Sequence, residues 1–305
     1  MILLTGASGF LGHHVKNEMN GYGLLCPTHA ELNLLNKEAI RKYFAENFVT
    51  GVIHCAGTVG GIGLNKEKPY TLGSENLQMG INLIEECLVR RTMRPVDKFI
   101  LISTVCGYPA YCPAPFMERD IGNGQPEPTN RVYGLAKNLL GELGKAARQE
   151  HGMNFVTLYP ANMIGEHDNF GDGCHVVPAI IKKIYAAQQT NYPAVELWGS
   201  GKPTREFLYG GDAARGIRMA WDKYNSSEPV NIGTGESISI KDLAEIIADL
   251  MGYDGEFVFD QTNPDGQLIR RLCTERAKKE FGFTAKVELR EALGRTVDYF
   301  FEKIV

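Results

Sequence analysis

Glycine spacing near the first residue limits the fold of this chain more than anything else in it. Ile2-Leu3-Leu4-Thr5 is a short apolar run, of the kind that forms a strand buried on both faces. It passes at once into Gly6-Ala-Ser8-Gly9-Phe10-Leu11-Gly12, and a helical pattern follows over residues 11–20. Glycines set between a strand and a helix have a physical use. Without side chains, Gly6 and Gly9 let backbone amides approach a pyrophosphate, Gly12 lets the helix pack close to its strand, and the helix N-terminus favours the anion. A plain tight turn would also take glycine, but the strand before and the helix after favour a dinucleotide site. Ser8, Phe10 and Leu11 belong to the same turn and are candidate cofactor contacts.

The second strand, expected near residues 23–26, should end beside the adenosine ribose, where an acidic residue would favour NAD over NADP. Here the chain reads Pro27-Thr28-His29. No carboxylate is expected there to repel a 2'-phosphate, and no arginine to hold one. Thr28 and His29 are the available contacts, and the reading leans to NADP with NAD still open.

Alternation of strand and helix continues. Residues 37–47 are helical, Gly51-Val-Ile-His-Cys-Ala56-Gly57 reads as a strand with its exit turn, and Thr58-Val-Gly-Gly-Ile-Gly63 follows as a glycine-rich loop. Such a loop lies where open α/β sheets bind ligands, unless it is only an irregular crossover. Over residues 76–90, Leu77, Ile81, Ile84 and Leu88 share one helical face. Residues 98–103 read as a buried strand, 132–150 as a helix and 154–159 as another strand. Four alternations in succession predict an α/β fold, a Rossmann-type doubly wound parallel sheet with right-handed crossovers.

After Pro160 the pattern changes. Residues 162–174 read as loop, 176–188 and 213–222 as helices, 195–198, 230–232 and 257–259 as strands, and 240–251 and 289–301 as amphipathic helices. The expected division is a dinucleotide-binding domain over 1–160, to which part of about 203–235 returns, and a smaller C-terminal substrate-binding domain over most of 161–305.

Chemistry is suggested by Tyr133-Gly-Leu-Ala-Lys137, which puts a phenol and an ammonium on one face of the predicted helix. A cation beside a phenol stabilises its phenolate and brings the proton within reach near neutral pH. Thr104 ends the strand before it and offers a hydroxyl to a substrate oxygen. Together they suit transfer of a hydride and a proton at one carbinol carbon, although a Tyr-x-x-x-Lys pair alone is common on helix surfaces.

Composition narrows the partners. The chain has 305 residues, 44% of them apolar, and a formal net charge of -4, which gives no electrostatic reason to expect nucleic acid or an anionic membrane. Its 7 cysteines are odd in number and contain no Cys-x-x-Cys pair. That suits reduced thiols in a cytoplasmic protein, with no disulfide framework and no structural metal. The apolar start is too short for a signal peptide or a membrane span.

These motifs resemble the extended short-chain dehydrogenase/reductase family, through Thr5-Gly-Ala-Ser-Gly-Phe-Leu-Gly12, Thr104 and Tyr133-x-x-x-Lys137. A closer likeness, to the branch acting on GDP-4-keto-6-deoxyhexoses, runs through Val59-Gly-Gly-Ile62, Cys106-Gly-Tyr-Pro109, Glu127-Pro-Thr-Asn130, His167-Asp-Asn-Phe170, His175-Val-Val-Pro178, Trp198-Gly-Ser-Gly201, Arg205-Glu-Phe-Leu208 and Pro264-Asp-Gly266. It covers almost the whole chain. The resemblance implies 3,5-epimerisation followed by NADPH-dependent 4-reduction of a GDP-sugar. It implies Thr104, Tyr133, Lys137, Cys106 and His175 as catalytic residues, and Ala56, Gly57, Tyr133, Lys137 and Asn162 as further cofactor contacts. Val176, Lys183, Trp198, Arg205 and Asp265 would bind substrate, with Trp198 near guanine and Arg205 on the diphosphate. Thiol and imidazole have reference pKa values within about 2 units of neutral, so a Cys/His pair can exchange acid and base roles.

This chain departs from that branch in four ways. Thr104 stands where a serine is usual, Lys182-Lys183 where an arginine is expected, and Ser8 and His29 where arginines would meet the 2'-phosphate. Alternatives therefore stay open: a reductase or epimerase of another nucleotide-4-keto-sugar such as a deoxyheptose, or a non-catalytic dinucleotide sensor. Val105-Cys106 lacks the acidic pair a 4,6-dehydratase would need. The family commonly pairs two helices per subunit, so a homodimer through residues 70–90 and 132–150 is expected.

Overall fold

Short Val, Ile and Leu runs become strands here because the sheet takes apolar side chains on both faces. The computed structural model describes residues 1–190, 192–262 and 265–305. Pro264 of the Pro-Asp-Gly motif lies outside the described residues. In chain order the first part contains β1 (Ile2–Thr5), α1 (Phe10–Glu18), β2 (Leu24–Leu25), α2 (Lys37–Glu46), β3 (Gly51–His54), α3 (Ile62–Glu67), α4 (Pro69–Arg90), β4 (Lys98–Ile102), α5 (Arg131–His151) and β5 (Phe155–Pro160). The second part contains β6 (Asn162–Ile164), α6 (Val176–Thr190), β7 (Ala194–Trp198), β8 (Thr204–Arg205), β9 (Phe207–Tyr209), α7 (Gly210–Lys223) and β10 (Val230–Ile232). It closes with β11 (Ile238–Ser239), α8 (Ile240–Met251), β12 (Glu256–Asp260), β13 (Ile269–Arg270), α9 (Glu275–Phe281) and α10 (Leu289–Lys303).

Six strands form one sheet in the order β10-β5-β4-β3-β1-β2, with every pairing parallel. This is the Rossmann-type sheet the sequence predicts. The chain leaves β1 for one edge through β2 and returns to β1's other side through β3, so the order reverses at the β1/β3 boundary. Open sheets bind ligands at such a switch point. Alternate residues of the strands feed two cores: Leu4, Ile53, Ile100 and Val156 on one face, Leu3, Val52, Leu101 and Phe155 on the other. The return of α7 and β10 brings Ile217, Val230 and Ile232 into the first of these.

A third core lies outside the sheet, where Ile180, Ile181 and Ile184 of α6 meet Leu243 and Ile247 of α8, Leu293 and Val297 of α10, and Val195 and Leu197 of β7. Two local expectations change. Residues 162–164 are a strand paired with β9 rather than loop, and α4 begins at Pro69, seven residues before the first position of the expected helix. Pro69 takes a position where a missing N–H costs nothing. A Cβ on Gly73 would stand 2.4 Å from Val132 Cγ1, so glycine there lets α4 and α5 approach closely. No described helix is long and apolar enough to cross a membrane, and all seven cysteines are unpaired.

Candidate active site

At the switch point the turn after β1 is built almost entirely of backbone. Gly6 has φ +70, and a Cβ there would lie 2.7 Å from the Ala56 amide nitrogen. A Cβ on Gly12 would lie 2.0 Å from the Gly6 carbonyl oxygen, so the first turn of α1 is pressed against the loop. Gly9 N–H closes that loop onto Gly6 O at 3.0 Å. Thr5 Oγ1 lies 2.8 Å from His54 Nδ1 and accepts from Ala56 N at 3.3 Å, tying the ends of β1 and β3 together. Burial holds the His54 imidazole down to about 3, with Lys137 adding to the effect, so it stays neutral. A side-chain-free cradle at a helix N-terminus fits the pyrophosphate of a dinucleotide.

Ser8 is exposed on this loop, Phe10 half-buried and Leu11 buried. His29 is exposed beyond β2. One expectation at this edge is overturned: a carboxylate is present. Glu31 Oε2 accepts from Thr28 N at 2.7 Å and from Thr28 Oγ1 at 2.9 Å. Those bonds hold its carboxyl below the ordinary range. It lies three residues beyond the position where a ribose-binding acid is sought, and a local turn brings it back.

The end of β4 carries the candidate catalytic groups. Thr104 caps a single helical turn over Val105–Gly107, its Oγ1 accepting from Cys106 N at 3.1 Å. Helix α5 packs tightly on that turn, because a Cβ on Gly134 would stand 2.5 Å from the Cys106 carbonyl oxygen. Tyr133, one residue earlier, is thereby set beside both Thr104 and Cys106. Burial pushes its phenol above the ordinary value, Cys106 adds to that, and a hydrogen bond with Thr104 opposes it. Lys137 lies one turn deeper, buried, donating to the Ile102 carbonyl at 3.0 Å. Desolvation lowers its ammonium to about 8. The expected lowering of Tyr133 by Lys137 does not appear: burial sets the direction, and the group that opposes it is Thr104.

His175 is not hydrogen-bonded to these four groups; its carbonyl accepts from Ala179 N at 3.0 Å at the start of α6. The glycine-rich loop makes the connection. It leaves β3 beside Lys137, where a Cβ on Gly57 would lie 3.8 Å from Nζ, and reaches Gly61, whose N–H donates to Gly173 O at 2.7 Å. His175 is open to solvent, yet the surrounding protein lowers its imidazole.

Farther out, Trp198 is 60% exposed at the end of β7. The turn after it is held by Asp265, which accepts from Ser200 N at 2.6 Å and Ser200 Oγ at 2.8 Å. Arg205 donates through Nη1 to the carbonyls of Thr204 and Gln267 at 2.8 and 2.7 Å, and burial lowers it to about 10. It makes no ion pair with Glu206, whose carboxylate is buried and accepts from Leu272 N, Thr234 N and Gly235 N. Val176 is half-buried at the start of α6, and Lys183 is exposed with Nζ on the Glu196 carbonyl at 2.7 Å. Asn162 donates to the Glu206 carbonyl at 2.9 Å.

Sequence reasoning missed Arg270. It is buried on β13, paired with Glu127 at 2.6 Å, and donates to Cys106 Sγ at 3.6 Å. Its only advance signal was an Arg-Arg pair interrupting an apolar stretch, since an arginine enters a core only with partners.

Comparison with known proteins gives this geometry its context. The model of the NAD dependent epimerase/dehydratase family matches residues 2–233. The chain belongs to that family. A GDP-L-fucose synthase of Sinorhizobium fredii is 34% identical over 99% of this chain and 96% of its own length. The GDP-L-colitose synthase of Yersinia pseudotuberculosis is also 34% identical, over 98% of this chain and 97% of its own. Among solved structures, a GDP-L-fucose synthetase from Naegleria fowleri bound to NADP superposes with a TM-score of 0.87 at 28% identity, covering 99% of this chain and 94% of that one.

Proposed function

We propose that this family member epimerises GDP-4-keto-6-deoxy-D-mannose at C3 and C5 and then reduces C4, yielding GDP-L-fucose. The coarser statement stands without the proposal: it is an NAD(P)-dependent nucleotide-sugar epimerase/reductase, and its cofactor is NADP. The observation that carries the reading is the convergence of Thr104, Cys106 and Tyr133 on one turn, with Lys137 beneath. Gly6, Gly9, Gly12 and the α1 N-terminus would hold the cofactor's pyrophosphate, with Ser8, Thr28 and His29 at the 2'-phosphate edge. Ala56, Gly57 and Asn162 would complete its pocket. NADPH, when bound, supplies the hydride that reduces C4.

The protein's own groups do the rest. A 4-keto group acidifies the C3 and C5 protons, and Cys106 and His175 are the pair we assign to removing and returning them. Thr104 would donate to the ketone oxygen as negative charge develops there. Tyr133, kept protonated by burial, would deliver the proton to that oxygen, and Lys137 would stabilise the phenolate left behind. Arg205, Lys183, Val176 and the exposed face of Trp198 would receive the nucleotide, with Asp265 fixing the turn after Trp198. This assigns the dinucleotide to the sheet together with α7 and β10, and the sugar nucleotide to the third core.

A second reading keeps the site and changes the sugar. The equal identity to a fucose synthase and a colitose synthase favours neither product, and Lys183 offers no bidentate fork. NADPH oxidation with GDP-4-keto-6-deoxy-D-mannose, with the product identified by NMR, tests both. GDP-L-fucose from the parent protein, with epimerisation lost in Cys106→Ser and reduction lost in Tyr133→Phe, is expected. No oxidation, or a reduced but unepimerised sugar, would turn the assignment to another GDP-4-keto-sugar. Assembly as a cytoplasmic homodimer through α4 and α5 is part of the proposal.

A further inference from the structure

Three directions leave the Arg270 guanidinium, and each meets a different partner. Nη2 pairs with Glu127 Oε2 at 2.6 Å, Nε donates to Gln267 Oε1 at 3.3 Å, and Nη1 donates to Cys106 Sγ at 3.6 Å. Both charged partners are buried, Arg270 7% exposed and Glu127 8%. A planar fork fixed at two corners cannot swing its third away, so the contact to sulfur is held by the other two. Glu127 Oε1 packs against Gly266, where a Cβ would lie 2.7 Å from it, and Gln267 also reaches Pro109 O at 3.4 Å. Other groups facing the thiol are the Tyr133 phenol from α5 and the Arg205 guanidinium from β8. Arg270 makes the close contact.

We propose that Arg270 is a positioning residue for Cys106: it aims the sulfur and balances the negative charge that sulfur carries whenever it has given up its proton, with Glu127 and Gln267 holding the guanidinium in place. The proposal rests on the assignment of Cys106 to proton exchange at the sugar. A cation within hydrogen-bond reach is what makes one thiol of several reactive. It also explains why a buried ion pair persists here, where a stable core alone would do as well with apolar side chains.

The test compares the parent protein with Arg270→Gln, Arg270→Lys and the double variant Arg270→Gln/Glu127→Gln, which leaves no unpaired buried carboxylate if the single variant folds poorly. Two readouts are taken. The first is alkylation of Cys106 by iodoacetamide, followed on its own peptide by mass spectrometry. The second is uptake of deuterium from D2O at C3 and C5 of GDP-4-keto-6-deoxy-D-mannose without NADPH. Losing a charge-assisted hydrogen bond should slow both by roughly 10- to 100-fold near neutral pH. Alkylation should recover at alkaline pH, KM should move little, and Arg270→Lys should restore part of the loss. Unchanged alkylation in a folded variant would overturn the proposal. If the parent protein exchanges no sugar protons, the functional reading fails, while alkylation still decides whether Arg270 governs the sulfur.

Discussion

Lys137 donates its ammonium to the Ile102 carbonyl at 3.0 Å, from a site so enclosed that its pKa falls from 10.5 to about 8. Activity and stability should therefore move in opposite directions with pH. If the charged ammonium stabilises the Tyr133 phenolate, turnover declines as pH rises through about 8. Stability does the reverse. Between about 8 and 10.5 the unfolded chain binds more protons at this lysine than the folded one does, so its contribution to stability rises with pH. Initial rates and thermal melts over the same buffers check both signs. Lys137→Met should abolish the alkaline limb and lower turnover by about 100-fold. A limb that persists unchanged in that variant would assign it to another group.

The glycines of the first turn should differ sharply in tolerance. A methyl on Gly12 would stand 2.0 Å from Gly6 O and 2.6 Å from Ala7 Cα, whereas a methyl on Gly9 would be 3.3 Å from its nearest neighbour. Gly12→Ala forces backbone apart and should cost about 1–3 kcal/mol, with NADPH binding lost alongside. Gly9→Ala should unfold near the parent temperature. Thermal melts and cofactor fluorescence measure each effect, and equal melting temperatures would show that the α1 contact is looser than described.

His29 is exposed, and the Glu31 carboxylate is fixed nearby by its hydrogen bonds to Thr28. An imidazole is a modest partner for a 2'-phosphate. His29→Arg adds a permanent fork at an exposed position, so the ratio of kcat/KM for NADPH over NADH should rise by roughly tenfold. A ratio unchanged within twofold would place the phosphate elsewhere, with Ser8 the next candidate.

Much of the fold was readable because β1, β3, β4 and β5 are short, mostly apolar runs buried along their whole length. The turn carrying Thr104 and Cys106 was readable for the same reason, as it follows β4 directly. What escaped was non-local or very short. Strands β6 and β9 are three residues each and exist only by pairing with one another. The early start of α4 was hidden by Gly73, whose poor helix propensity is overridden by contact with Val132. Glu127 and Arg270 lie 143 residues apart, and no local pattern links them. Glu206 likewise is a buried acceptor for amides that lie 28 to 66 residues away, which no local pattern announces.

That buried acceptor supports a further prediction. Glu206 takes amide hydrogens from Thr234 at 2.6 Å, Gly235 at 2.9 Å and Leu272 at 2.6 Å, joining the link between β8 and β9 to the turn after β10 and the segment after β13. Glu206→Gln replaces one acceptor oxygen by an NH2 that faces a donor. Leaving buried donors unpaired costs about 1–3 kcal/mol each, so the melting temperature should fall by roughly 5–10 °C. A shift below about 2 °C would mean that water or a carbonyl takes over the bonds.

Helix α5 presents Val132, Leu135, Leu139 and Leu143 to solvent at spacings of three, four and four residues, each between 37% and 48% exposed. Its opposite face is spent on α4 and the turn after β4; Val132 at the head of the stripe also meets α4 at Gly73, whereas Leu135, Leu139 and Leu143 lie outside every core of the described residues. A second copy related by a twofold axis would bury each residue twice. Burial of a leucine is worth about 1.5–3 kcal/mol, and Leu139→Arg removes that gain in both subunits while placing two cations at the seam. The dissociation constant should rise by at least about 1,000-fold. Sedimentation velocity at micromolar concentration should show a dimer for the parent protein and a monomer for Leu139→Arg, with matching circular dichroism because the side chain is outside every core. Tyr133 lies on the same helix, half-buried beside Thr104, so the monomer should bind NADPH and lose turnover only as far as α5 loosens. A parent protein that sediments as a monomer would remove the interface outright.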